Sequence, residues 1–457
     1  LTVMTFLGAG MLSGISAQVS PLQVDTLKET KIPDQWDLQS CIDYAKEQNI
    51  TIRKNRITAA STQIDVKTAK AAMFPSLSFS TSQQVVNRPY QETSSRVSGN
   101  EIISSNSKTS YNGNYGLNAS WTLYNGNKRL KTIQQEKLNN QMAELDVATS
   151  ENNIQESIAQ VYIQILYAAE SVKVNENTLQ VSIAQRDRGQ ELLNAGSIAK
   201  SDLAQLEAQV STDRYQLVTA QATLEDYKLQ LKQLLELDGE NEMNIYLPAL
   251  SDENVLAPLP TKRDVYISAL SLRPEIEASK LNVEASELGI NIAKSSYFPT
   301  ISLSAGIGTN HTSGSDFTFG EQVKNGWNNS IGLSVSVPIF NNRQTKSAVQ
   351  KAKLQYETSM LSLLDEQKAL YKTIESLWLD ANSAQQRYAA ANEKLKSTQI
   401  SYELISEQFN LGMKNTVELL TEKNNLLQAQ QEQLQAKYMA ILNTQLLKFY
   451  QGDQLAL

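Results

Sequence analysis

The residue types most often used for chemistry are scarce in this chain, and that scarcity limits what it can do. One histidine, His311, and one cysteine, Cys41, occur in 457 residues. A nucleophile relay needs a histidine held beside its nucleophile. His311 instead lies in the Gly/Ser/Thr-rich stretch Gly308–Gly326, which reads as a solvent-exposed loop. No glycine-rich phosphate loop follows a strand pattern, and the usual zinc ligand sets cannot be assembled. Cys41 sits in the helical pattern Asp37-Leu-Gln-Ser-Cys-Ile-Asp-Tyr-Ala45, without the small residues that flank a lipoprotein acylation site. It reads as a small buried apolar residue, and alone it makes no intrachain disulfide. No enzyme activity, cofactor or metal is expected. Two acidic residues remain at matching places, in Gly196-Ser-Ile-Ala-Lys-Ser-Asp202-Leu203 and Gly412-Met-Lys-Asn-Thr-Val-Glu418-Leu419. A carboxylate just inside a helix start is favoured by the helix dipole. Each stretch therefore reads as a tip where one helix ends and the next begins.

The elements that position these tips come from an internal duplication. Ala71-Ala-Met-Phe-Pro-Ser-Leu-Ser-Phe-Ser80 returns as Ser295-Ser-Tyr-Phe-Pro-Thr-Ile-Ser-Leu-Ser304, a shift of 224 residues that also relates Ala45 to Ala269. Gly116-Leu-Asn-Ala-Ser-Trp-Thr-Leu-Tyr-Asn125 returns as Gly332-Leu-Ser-Val-Ser-Val-Pro-Ile-Phe-Asn341, and Asn194-Ala-Gly196 as Asn410-Leu-Gly412, both at a shift of 216. The shift changes only between paired β segments, so the first hairpin loop is about eight residues longer, as expected where insertions collect in loops. The expected organisation is a first repeat over 18–240 (helix, β-hairpin at about 76–124, long helix, return helix). A Pro-punctuated linker over 241–262 and a second repeat over 263–457, with its hairpin at about 300–340, complete it. Residues 1–17 are apolar and small before polar Gln18, the pattern of a signal-peptide remnant cleaved at Ala17–Gln18.

Net charge is -7 and mean hydropathy -0.36, with no dense Lys/Arg run, which argues against nucleic acid as a partner. Nothing beyond about residue 18 offers the roughly 18 uncharged apolar residues of a membrane helix. A membrane protein with this sequence must cross with strands. Leu117, Ala119, Trp121 and Leu123 alternate with Gly116, Asn118, Ser120 and Thr122; Ile301, Leu303, Ala305 and Ile307 alternate with Ser302, Ser304, Gly306 and Gly308. Leu77 and Phe79, and Ile331, Leu333, Val335 and Val337, repeat the pattern. A soluble sheet shares this period, but Ser, Asn and Gly fill a core poorly and line water well. Tyr111, Trp121, Tyr124, Trp327 and Phe340 fit interfacial girdles.

The helices are very long. From about Lys128 to Leu193 and about Thr345 to Phe409 there is no Pro and hardly any Gly. Leu370, Ile374, Leu377, Ala381, Ala384, Tyr388, Ala391, Leu395, Thr398, Tyr402, Ile405 and Phe409 keep alternating spacings of four and three. Ile154, Ile158, Val161, Ile165, Ala168 and Val172 carry the same seam in the first repeat, and Leu203, Leu206, Val210, Leu217, Ala220, Leu224, Tyr227 and Leu231 line its return helix. Such seams pack knobs into holes against neighbouring helices. Four strands cannot close a barrel, and open sheet edges are not tolerated in lipid. Two copies would give about eight strands with a filled interior, whereas three give about twelve and a water-filled bore.

Taken in order, the duplicated unit, the repeated Phe-Pro at 74–75 and 298–299, and the Gly-x5-acid-Leu tips resemble the TolC-like outer-membrane efflux proteins over nearly the whole mature chain. The resemblance implies an α+β membrane protein in two tandem repeats: a homotrimer whose 12-stranded β-barrel, four strands per chain, sits in outer-membrane lipid and is continued by a long α-helical periplasmic barrel. It implies an exit duct for efflux or type I secretion, partnered by a periplasmic adaptor (membrane fusion) protein and an inner-membrane RND or ABC transporter. By position, Ser201, Asp202, Phe409 and Lys414 match residues that close the periplasmic end, and Glu418 and Thr421 match a constriction; Gly196 and Gly412 mark the adaptor-docking tips. Lys414 replaces a frequent arginine, so a bidentate fork is lost. Thr421 is neutral beside Glu422, and an Asp202–Lys414 pair is expected to hold the tip shut. The rival reading, a soluble helical hairpin protein of adaptor type, shares the seams but not the duplicated hairpins.

Overall fold

Each stretch of the chain takes the structure that its hydrophobic period favours. The computed structural model describes residues 33–90, 94–98, 101–105, 108–238, 243–248, 255–315 and 317–455. Helices α1 (Leu38–Gln48) and α2 (Ile50–Ala71) lead to β1 (Ser76–Asn87), a small hairpin of β2 (Ser94–Ser98) and β3 (Glu101–Ser105), then β4 (Thr109–Asn125). The 67-residue α3 (Lys128–Asn194) and α4 (Lys200–Leu234) follow. The second half runs α5 (Lys262–Leu272), α6 (Pro274–Ser295), β5 (Thr300–Thr312), short α7 (Phe319–Asn325), β6 (Asn328–Ser336), the 67-residue α8 (Gln344–Asn410) and α9 (Thr416–Gln451). Among the described residues no helix is long and apolar enough to cross a membrane. The signal segment 1–17, its Ala17–Gln18 junction and part of the 241–262 linker lie outside the described residues.

The leading helix of each repeat is broken once, at Asn49 and at Arg273, again 224 residues apart. The causes differ. Asn49 turns extended and its side-chain oxygen accepts from Thr51 N at 2.9 Å, starting α2 afresh. Arg273 precedes Pro274, whose ring disfavours helix in the residue before it and suits the first position of a new one. The buried Arg273 guanidinium then pairs with Glu156 at 2.8 Å and lies 3.9 Å from the Tyr450 ring centroid.

Spatially the chain forms two compact units, neither of which is a repeat. Among the described residues, one holds 33–57, Val147–Arg273 and Leu370–Leu455; the other holds Thr58–Asp146 and Pro274–Ala369. The first unit contains the main apolar core, where Trp36, Cys41, Ile158, Tyr162, Ile165, Leu231, Tyr388 and Leu446 are buried together. Cys41 is fully enclosed, and burial pushes its thiol up to about 12.

The second unit holds the antiparallel sheet, ordered β1-β4-β5-β6. Its register sorts the side chains by face. Phe79 opposes Leu117, which opposes Ile307; Leu77, Ala119, Ala305 and Ile331 form a second row, and Trp121, Leu303 and Leu333 a third. Between them run Ser78, Asn118, Gly306 and Ser330, then Ser76, Ser120, Ser304 and Gly332. Directly opposed residues share a face, so one face is mainly apolar and the other small and polar, with Asn329 opposite Ile307 the polar end of the first apolar row. Phe79, Ile331, Leu333 and Val335 are each more than half exposed.

His311 departs from its expected place in an exposed loop. It falls inside β5, half-buried, with its ring 5.1 Å from Tyr111, 5.8 Å from Tyr115 and 5.0 Å from Phe319. The polar stretch after β5 folds into α7, whose first residue covers the imidazole. Gly113 opposite leaves the room: a Cβ there would collide with the ring.

Candidate functional site at the helix tips

Both tips begin as the same helix ending. Gly196 N donates to Leu193 O at 2.9 Å and Ser197 N to Leu192 O at 2.8 Å; Gly412 N donates to Phe409 O at 2.9 Å and Met413 N to Gln408 O at 2.8 Å. This double closure needs one residue in the left-handed region, and Gly196 and Gly412 supply it with φ of 73° and 75°. No neighbouring atom crowds either glycine, so the requirement is conformational rather than steric.

The restarts differ. At the first tip Ala199 occupies the cap position and has no side-chain acceptor to offer, so Asp202 reaches back and accepts from Ala199 N at 3.0 Å. At the second tip Asn415 caps α9 by accepting from Glu418 N at 2.9 Å, and Glu418 accepts from Asn415 N at 3.2 Å, a reciprocal capping box. Lys414 Nζ adds a 2.6 Å bond to the same carboxylate. That bond and the Asn415 N–H hold the Glu418 carboxyl below its ordinary range.

The expected Asp202–Lys414 pair is therefore not made within the chain. Each group is satisfied three or four residues away on its own helix start, where little chain entropy is lost in bringing the partners together. Ser201 is exposed on the first turn of α4. Phe409 is buried in the last turn of α8, and Thr421 is exposed, its hydroxyl donating to Val417 O at 2.8 Å. Leu411, Met413 and Val417 stand well exposed at the second tip.

One set of polar residues near the tips escaped the sequence reading. Lys423 on α9 pairs with Asp213 on α4, and Ser182 on α3 bonds to both. All three are at most 3% exposed. Gln209 completes the set by donating to the second Asp213 oxygen at 2.8 Å. Burial pushes the Lys423 ammonium below the ordinary lysine range, with Asp213 opposing the shift. The signal was present as an interruption: the α4 seam steps from Val210 to Leu217, and Asp213 is the position between them.

A four-stranded sheet with a mainly apolar face and a small polar one is the surface of a β-barrel membrane protein. Residues 41–236 and 265–452 match the Outer membrane efflux protein family, and the chain belongs to it. Its place is the outer membrane. Among curated proteins it is 24% identical over 294 residues to outer membrane efflux protein BepC of Brucella suis biovar 1, covering 64% of this chain and 61% of that one. It is 24% identical over 294 residues to outer membrane protein TolC of Escherichia coli K12, covering 62% of this chain and 58% of that one. The matched stretch thus spans about three fifths of those two relatives. Among solved structures, the CusC channel superposes with a TM-score of 0.77 at 19% identity, covering 91% of this chain and 92% of the other, which carries the likeness in fold.

Proposed function

We propose that this chain is one third of an outer-membrane exit duct, passing substrates delivered by an inner-membrane pump and gated at its periplasmic helix tips. The observation that carries the reading is the two-faced sheet. Its apolar rows are exposed on a single chain and suit lipid, while its Ser/Asn/Gly rows suit water. Strands β1 and β6 end the sheet, and an unpaired edge in lipid leaves backbone groups without hydrogen bonds. Pairing β1 of one copy with β6 of the next removes every edge, and three copies place about twelve strands around a bore.

The tips supply the gate. In this reading Ser201, Asp202, Phe409, Lys414, Glu418 and Thr421 line the closing end of the trimer. Asp202 and Lys414 meet across chains, in exchange for the local bonds each makes alone. The exposed Leu411, Met413 and Val417 beside Gly412, with the matching tip at Gly196, form the docking surface for a periplasmic adaptor serving an RND or ABC pump. Purified protein reconstituted in planar bilayers tests the duct: discrete cation- or anion-carrying channels are expected. Recovery in the soluble periplasmic fraction, rather than in heavy outer membranes as a trimer, would sink it.

A further inference from the structure

We propose that the buried Ser182–Asp213–Lys423 cluster is the fulcrum of the tip region, the fixed level beyond which the two tips move and behind which the helices stay in register. The purpose of such a fulcrum rests on the gate reading above; the cluster itself is a matter of geometry. It joins α3, α4 and α9 at one level. Neighbouring polar contacts at that level bring in α8, through Gln185 Nε2 to Tyr402 Oη at 2.8 Å and Ser401 Oγ to Glu422 at 3.1 Å. Counted along the helices from Gly196 and Gly412, the three residues lie roughly 15–25 Å from the tips at 1.5 Å per residue.

Two features set this level apart from the rest of the seams. Leu and Ala knobs tolerate a slip by one heptad, since one apolar contact replaces another. A desolvated ion pair does not, because any slip leaves both charges buried without a partner, and a single polar seam position is a known way to specify register. Beyond the cluster the polar ties are solvent-exposed, such as Lys414–Glu418, and resist displacement weakly, while the buried Leu206, Phe409 and Leu419 are apolar knobs of the kind that can slip. The cluster is also not a relic of the duplication. The shift of 216 that relates the two tips carries Asp213 to Ala429, Ser182 to Thr398 and Lys423 back to Glu207. Ala429 is buried and uncharged, and Glu207 is exposed. One repeat supplies the acid and the other the base, so the tie lies between repeats and occurs once per chain.

The test uses the full-length assembled protein, hydrogen exchange and bilayer conductance. In the wild type, amides on the tip side (183–212 and 413–422) are expected to exchange at least tenfold faster than those on the far side, with the step at the cluster. The Asp213→Leu/Lys423→Met double variant removes both charges at similar bulk. It is expected to melt at or above the wild-type temperature, yet to lose the step, so that rapid exchange spreads past Leu217 and Leu427, and to conduct severalfold more. Ser182→Ala, which keeps the ion pair, should blur the step by a smaller amount and decides the matter if the double variant does not fold. A double variant, or failing that Ser182→Ala, with an unchanged exchange step overturns the fulcrum. So does a wild type with no step at this level. A wild type that shows the step but never conducts overturns the duct reading and leaves the fulcrum standing.

Discussion

The two helix tips share a backbone and differ in their side chains. Both end on a left-handed glycine with the same pair of closing hydrogen bonds, yet the first restarts without a capping side chain and the second with a full capping box and an ion pair. A little further along, the first repeat buries Asp213 where the second buries Ala429. The duplicated unit therefore kept what the main chain requires and changed what side chains decide. Backbone closure at a helix end admits few solutions, whereas caps and ion pairs can be exchanged one residue at a time.

The largest break in this comparison comes from the buried charges. Asp213→Ala leaves Lys423 desolvated and unpaired and should cost about 3–5 kcal/mol. Ala429→Asp plants an unpartnered acid at the matching position and should also destabilise, by several-fold more than Glu207→Ala on the surface; chemical denaturation of each variant measures both. If Asp213→Ala and Glu207→Ala proved equally mild, the assigned asymmetry would be wrong.

Substitution of the tip glycines tests what the repeats share. Gly196→Val and Gly412→Val each force a β-branched side chain into left-handed backbone, at a cost of about 1–2 kcal/mol. The two losses should agree, read as faster exchange of the Ser197 and Met413 amides. A clear inequality would mean that packing, not φ, governs one tip.

The caps should respond in opposite directions. Asn415→Ala is expected to lose about 1 kcal/mol at the second tip, and Ala199→Asn to gain a similar amount at the first, since only the first lacks a capping acceptor. Local exchange protection of the first turns of α4 and α9 reports both.

The smallest effect is set by pH. Glu418 has a carboxyl pKa depressed in the folded chain by Lys414 and the Asn415 N–H. Its contribution is thus present above the ordinary carboxylate value of 4.5 and is lost as pH falls below that value through the depressed one. Exchange at the start of α9 should quicken over that acid range, and Glu418→Gln should flatten the dependence. A flat profile in the unmodified protein would remove the assigned role of the ion pair.

Much of this molecule was legible before its structure. Alternation with period two predicted the faces of the strands, because side chains on a pleated backbone must alternate. The seam from Leu370 to Phe409 was found buried or half-buried along its length because an apolar stripe has nowhere else to go. The tips were legible from the acids Asp202 and Glu418 just inside each helix start, whereas the left-handed backbone at Gly196 and Gly412 was supplied by the structure. Less visible were α7, a short helix inside a polar loop, and the enclosure of His311, which depends on Phe319 arriving from that helix and on the missing Cβ of Gly113.

The sequence by itself determined the duplicated units, the two periods and the positions of the helix ends, since each follows from local backbone chemistry repeated along the chain. Only the tertiary structure decided the partners within the chain: Lys414 with Glu418, and Lys423 with Asp213 across 210 residues and Ser182 across 241. A charge lowers its free energy with whichever opposite group the fold brings within reach, and distance in space is not written in the order of residues.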